Sequence, residues 1–419
     1  MEGRHQARIM NWDDLFSPKW RGEANTDIAE VMRLSEMEGV TSFAGGFPAA
    51  DMFRLPEVRE VTDRILAEKG AQALQYGPTA GFAALREYLA QRMLDRFGVK
   101  TAPEEVVITT GALQGLDLLC RVLVEPGDTV ITEAPSYMGA LQTFATYRAH
   151  IEEIPMDEAG LQVDLLAERL AELKKRGIRP KFIYTIPTFQ NPSGTTLNAS
   201  RRQLLVDLAS AYGVPLVEDA AYAELRFAGE GEQALKALDR TGGVIFLGTF
   251  SKILSPGLRL GWVVAPRALA EKLIAVKQTN DQCSGSLSQL VALECGRRGI
   301  IDRQIENSRV LLKDKAAAMM AALERHFPAG SRWVEPQGGF FTWVTLPAAA
   351  GLDTSRLLKQ AVVEEKVAYV SGRSFYAHGQ GSNQLRLCFS YPQTAEIAAG
   401  IERLGRFFRT QLEKNAPAR

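Results

Sequence analysis

Between residues 50 and 280 this chain alternates short apolar runs with longer stretches of helical pattern, and that alternation limits its fold most. The runs are Val106–Thr109 (VVIT), Thr129–Thr132 (TVIT), Phe182–Thr185 (FIYT), Val214–Glu218 (VPLVE), Val244–Gly248 (VIFLG) and Gly261–Ala265 (GWVVA). A strand that is apolar on both faces must be covered on both, and the intervening segments are long enough for crossover helices. We therefore expect an α/β fold: a large domain with a mostly parallel seven-stranded sheet flanked by helices. After a long helical stretch near 300–326 the pattern changes. Phe340–Leu346 and Gln384–Phe389 read as antiparallel strands, with Ser355–Glu365 helical between them, which predicts a smaller α+β domain. The expected division is 1–45 for an N-terminal segment packing with the small domain, 46–310 for the large domain and 311–419 for the small one.

Charge and cysteine usage narrow the function classes. Lys plus Arg and Asp plus Glu both total 49, so no net field favours nucleic acid or an anionic membrane. No apolar run approaches the ~20 residues needed to span a bilayer. The opening MEGRHQARIMNWDDLF lacks the apolar stretch of a signal peptide. Cys120, Cys283, Cys295 and Cys388 are scattered without a CxxC pair, which suits reduced thiols in the cytoplasm. The histidines, His5, His150, His326 and His378, lack metal-ligand spacing, and there is no HExxH, GxSxG or P-loop. No metal is expected.

In parallel sheets, ligands sit beyond the carboxyl ends of the strands. Several reactive residues fall there. Asp219 ends VPLVED, Lys252 follows VIFLGTFS, and Asn191 follows FIYTIPTFQ. Ala112 and Leu113 open a helix after VVITTG, where free N–H groups and the helix dipole favour an anion. Each residue also has a plain alternative. Lys252 would be a solvated lysine at a helix start, Asp219 a helix cap, Asn191 a turn residue, Tyr137 a packing aromatic, and Arg386 a strand arginine paired with a surface acid.

The order NPSGTT, VEDAAY, GTFSKILSPGLRLGW is far more specific than any of its parts. With it, from SFAGGFPAADMF to LRLCFSY, the chain resembles the fold-type I, class I/II pyridoxal-phosphate aminotransferases, in particular the 2-aminoadipate/kynurenine aminotransferase-like subgroup. The resemblance implies pyridoxal 5'-phosphate as cofactor, amino acids and 2-oxo acids as substrates, and a homodimer. It makes Lys252, Asp219 and Tyr222 the catalytic set. Lys252 carries the cofactor and moves the substrate proton, and Asp219 faces the pyridine nitrogen. Asn191 and Tyr222 bond the phenolic oxygen, and Tyr137 stacks on the ring. Ala112, Leu113, Thr249, Ser251 and Arg259 hold the phosphate, joined by Tyr76 from the partner subunit. Arg386 grips the substrate α-carboxylate, and Gly45, Gly46, Asn191 and Phe341 line the substrate pocket.

Two positions depart from that pattern. Ala112 stands where relatives commonly carry serine. Ala29, in Ile28–Ala29–Glu30, stands where relatives that use dicarboxylates carry arginine. Arg21 and Arg33 are its nearest basic neighbours in sequence. The expectation is an amino donor that is hydrophobic or aromatic, with glutamate also accepted. The alternatives are a 2-aminoadipate-type aminotransferase, an amino acid racemase on the same fold, and the effector-sensing domain of a regulator.

Overall fold

The computed structural model describes residues 10–17, 33–34, 37–348 and 352–414. Arg21 and Ala29 lie outside the described residues; Arg33 is exposed.

The runs read as strands form one sheet. They are β2 (Val106–Thr109), β3 (Thr129–Ala134), β6 (Ile183–Thr185), β7 (Leu216–Asp219), β8 (Val244–Thr249) and β9 (Gly261–Val264); β1 is Thr41–Ser42. Two further strands, β4 (His150–Asp157) and β5 (Gly160–Leu161), complete the order β2-β9-β8-β7-β6-β3-β4-β5. The seven longer strands match the expected sheet, and the two-residue β5 extends its edge as a hairpin with β4. Strands β4, β3, β6, β7 and β8 run parallel, whereas β9 is antiparallel to both β8 and β2. β4 is not apparent as an apolar run because HIEEIPMD lies near the sheet edge and buries only Ile151 and Ile154.

Burial on both faces explains the strand composition. Every residue of β2, β7, β8 and β9 is buried. One cluster, including Leu116, Leu119, Val130, Phe144 and Phe182, covers one group of inward side chains. Another contains Leu166, Leu170, Ile183, Leu205 and Leu216. Truncating a fully buried aromatic such as Phe182 to alanine would cost roughly 3–5 kcal/mol.

The C-terminal region has a separate antiparallel sheet of four strands, ordered β10-β11-β14-β13. These are β10 (Arg332–Trp333), β11 (Phe341–Thr345), β13 (Val370–Ser371) and β14 (Gln384–Cys388), with β12 at Val367–Ala368. The helix Thr354–Glu365 lies between β11 and β12, as the sequence pattern predicts. β1 pairs in parallel with β12, and the amide of Cys388 donates to Phe43 O at 2.9 Å. The residues just before Gly45 are thereby joined to β12 and β14. Strand periodicity puts Arg386 and Cys388 on one face of β14 and Leu385 and Leu387 on the other.

Candidate active site

The carboxyl ends of the parallel strands and the small sheet enclose a cavity of about 490 Å³. Every site residue expected from the sequence lines it except Tyr76, which is exposed elsewhere on the surface.

At one pole is the N-terminus of the helix Ala112–Leu123. Its preceding residue, Gly111, has φ +88° and supplies no side-chain cap, so the first helical amides have no side-chain acceptor there. A Cβ on Gly111 would stand 2.9 Å from Arg259 Nη2, which places the guanidinium against this turn. Arg259 itself adopts φ +51° after a short turn capped by Ser255. Just past β8, Thr249 Oγ1 donates to Ser251 Oγ at 2.9 Å, and both residues are buried. Amides at a helix end, two hydroxyls and a guanidinium form a cradle for a phosphate-sized anion.

Asp219 ends β7 beneath the middle of the cavity. Tyr184 donates its hydroxyl to Oδ2 at 2.8 Å, and the Ala221 amide donates to Oδ1 at 3.2 Å. Burial raises the carboxyl pKa above its ordinary value, while the Tyr184 and Ala221 donors oppose the rise. Tyr184 was not among the expected site residues, because a tyrosine inside an apolar strand run carries no signal beyond packing.

Lys252 follows β8 and donates from Nζ to Gly46 O at 2.7 Å. The Tyr222 and Phe340 ring centroids lie 5.7 and 5.6 Å from the ammonium. Burial pushes the amine down to about 8, and the nearby Arg386 and Arg259 charges add to the shift. Gly46 is required sterically: a Cβ there would stand 2.9 Å from the Phe341 ring and 3.7 Å from Tyr222 Oη.

At the opposite pole Arg386 reaches in from β14. Nη1 donates to Asn191 Oδ1 at 2.9 Å and Nη2 to Ala44 O. The guanidinium lies 4.2 Å from the Phe341 centroid and 5.1 Å from that of Phe375, and its buried Nε has no hydrogen-bond partner among the described residues. Burial lowers its pKa. An incompletely satisfied guanidinium beside a cavity is suited to a carboxylate, which accepts two parallel N–H bonds. Phe47, Met138, Gln142, Val370 and Ser374 also line the cavity.

The residues fit pyridoxal phosphate. The anion cradle, the buried carboxyl, the lysine amine and the under-satisfied arginine are distinct groups around one cavity, and the close-packed glycines keep it open. Among the described residues no group of His, Cys, Asp and Glu could hold a metal, and no helix is long and apolar enough to cross a membrane.

Comparison with known proteins agrees with the geometry. The aromatic-amino-acid aminotransferase 1 of Thermococcus litoralis is 42% identical over 409 residues, covering 98% of this chain and 97% of that one. The crystal structure of the Pyrococcus horikoshii kynurenine aminotransferase, in complex with PMP, superposes with a TM-score of 0.92 at 40% identity, covering 96% of this chain and 98% of the other. That of the α-aminoadipate aminotransferase LysN of Thermus thermophilus, complexed with N-(5'-phosphopyridoxyl)-L-leucine, gives 0.88 at 40% identity, covering 97% and 100%. The family described as Aminotransferase class I and II matches residues 39–404, and the chain belongs to it.

Proposed function

We propose that this aminotransferase holds pyridoxal 5'-phosphate on Lys252 and takes its amino group from hydrophobic or aromatic α-amino acids, with glutamate accepted as well. The observation that carries this reading is one cavity holding a lysine lowered to about 8, a buried Asp219 and an Arg386 without a carboxylate partner among the described residues. When bound, the cofactor supplies an aldehyde carbon for the amino group and a ring that accepts electrons.

The chain's own residues do the rest. The Ala112 and Leu113 amides, Thr249, Ser251 and Arg259 bind the phosphate. Asp219, kept in place by Tyr184, holds a proton at the pyridine nitrogen, and a cationic ring beside it would reverse the burial shift. Asn191 gives its carbonyl oxygen to Arg386, which leaves its amide N–H groups for the phenolic oxygen, together with Tyr222. Tyr137 packs on the ring. Arg386 orients the α-carboxylate, and Gly45, Gly46 and Phe341 shape the space beside it. Lys252, with a basicity near the working pH, takes the α-proton at Nζ and returns it.

We read the chain as an N-terminal segment (1–45), a cofactor-binding domain (46–310) and a small domain (311–419). Tyr76 and Leu74 are 74% and 78% exposed, which supports a homodimer in which Tyr76 reaches the partner's phosphate; we read its location as cytoplasmic. A fully active monomer in sedimentation would exclude that arrangement. A 2-aminoadipate preference is the second reading, favoured by the 40% identity with LysN.

Borohydride reduction followed by peptide mapping tests the cofactor assignment, and a reduced cofactor on any other lysine overturns it. Comparing kcat/KM for phenylalanine, leucine, aspartate and 2-aminoadipate with one fixed acceptor tests the preference. 2-Aminoadipate ahead by about tenfold, about 1.4 kcal/mol, would establish the second reading.

A further inference from the structure

Behind the cavity wall stands a carboxylate with no part in the scheme above. Glu133, in β3, is almost completely buried and does not line the cavity. Thr185 Oγ1 donates to Oε1 at 2.5 Å; the Ile186 amide at 3.1 Å and Gln190 Nε2 at 3.2 Å donate to Oε2. Burial pushes the carboxyl up to about 7, those donors oppose the rise, and the nearby Asp219 charge has the same sign.

Gln190 carries the connection onward. Nε2 also donates to Pro135 O at 2.8 Å, and its Oε1 accepts from the Ser193 amide at 2.8 Å. Its backbone closes the same turn, donating to Thr195 O at 2.9 Å and accepting from the Gly194 amide at 2.6 Å. The turn's next residue is Asn191, which accepts from Arg386. Pro135 leads to Ser136, whose hydroxyl is 2.8 Å from Thr132 Oγ1, and then to Tyr137. One carboxylate thus ties the loop after β3 to the loop after β6.

We propose that Glu133 is a positioning residue for the substrate, setting through Gln190 where Asn191 stands against Arg386 and so the geometry of the carboxylate grip. The proposal rests on the reading of Arg386 and Asn191 given above. Its chemistry follows from the converging groups: the Ile186 amide and Gln190 Nε2 can only donate and require an acceptor, whereas the Thr185 hydroxyl can donate or accept. An apolar side chain would leave the Ile186 amide and the Gln190 side chain buried without partners. Glutamine has the shape of the protonated acid. Its carbonyl oxygen serves Ile186 and Gln190, and its N–H donates to Thr185 Oγ1 once that hydroxyl rotates. Glu133→Gln should therefore preserve what Glu133→Ala destroys.

The test uses the cofactor-loaded enzyme and 3-phenylpropionate, a carboxylate without an amino group, with Kd measured by calorimetry. Glu133→Ala and Gln190→Ala should weaken binding about tenfold and raise KM more than they lower kcat, whereas Glu133→Gln stays within about twofold. Gln190→Ala leaves the Glu133 carboxylate in place, so it decides the matter even if Glu133→Ala does not fold. Unchanged affinity in Gln190→Ala, or a loss in Glu133→Gln as large as in Glu133→Ala, overturns the proposal. Wild-type enzyme that borohydride does not trap on Lys252, or binding indifferent to Arg386→Met, would instead overturn the functional reading beneath it.

Discussion

Arg202 and Arg386 are both buried, and burial lowers both guanidinium pKa values. Neither forms an ion pair with a carboxylate among the described residues. Their neutral partners differ. Arg202, on the helix Ala199–Tyr212, donates to Leu197 O (2.8 Å), Gln233 O (2.9 Å), Pro187 O (2.6 Å) and Thr188 Oγ1 (2.8 Å), using all three of its nitrogens. It closes the 187–197 loop onto the segment before Leu235. Among the described residues Arg386 donates only to Asn191 Oδ1 and Ala44 O, and Nε is unfilled. An unfilled N–H alone does not mark a site. Arg92 Nε also lacks a partner, but there Glu224 (2.6 Å) and Asp302 (2.9 Å) neutralise the charge. What sets Arg386 apart is the combination of no counter-charge, spare donor capacity and a cavity wall. Burying a cation so incompletely compensated costs several kcal/mol, which an entering anion offsets.

The contrast between finished and unfinished cations can be broken by mutation. The largest effect is expected at Lys252, whose ammonium donates to a single acceptor among the described residues, the Gly46 carbonyl. Lys252→Ala should lower turnover by roughly a thousandfold or more while the melting temperature holds or rises. Turnover within tenfold of wild type, read as 2-oxo acid release, would place the proton carrier elsewhere. Arg202→Met should do the opposite. It strands several buried acceptors and should cost about 3–4 kcal/mol of stability in denaturant titration. The folded fraction should keep near-normal KM. Arg386→Met is the matched third case, with little change in stability and kcat/KM down about a hundredfold. If Arg386→Met unfolds the protein as readily as Arg202→Met, the two arginines are alike and the distinction drawn here is wrong.

The same contrast separates what the sequence makes legible from what it hides. Strands buried on both faces leave apolar runs, so β2, β3 and β6 to β9 were readable, as were the reactive residues at their ends. The motif order pointed to Lys252 and Asp219, and the wider resemblance to Arg386; all three line one cavity. The supports were not readable. Glu133 meets Thr185 only because β3 and β6 are neighbours in the sheet, and Tyr184 meets Asp219 for the same reason with β6 and β7. Strand order is a tertiary fact, and no local spacing encodes it. Tyr76 remains a partner-subunit expectation, and the specificity argument from Ala29 falls outside the described residues.

The smallest expected effect is a pH dependence, and it sharpens the comparison at Lys252 itself. In the unfolded chain its amine titrates near 10.5; in the folded, cofactor-free protein, burial brings it to about 8. Between those values the unfolded state binds more protons, so stability rises with pH across the window from 8 to 10.5. Below pH 8 both states are protonated and the penalty is fully present; above 10.5 it is gone. The full shift corresponds to about 3 kcal/mol, and because the amine borders an open cavity about 2 kcal/mol is the realistic expectation. Lys252→Met removes the titrating group. Cofactor-free wild type should therefore gain on the variant in urea midpoint as pH rises from 7.5 to 10, and start below it. Burial lowers the Lys277 amine as well, opposed by its pair with Asp281 at 2.6 Å, but Lys277 is common to wild type and Lys252→Met and so cancels in the comparison. Parallel stability profiles for wild type and Lys252→Met would mean that the Lys252 amine is solvated in the free protein, and the analogy with Arg386 would fail.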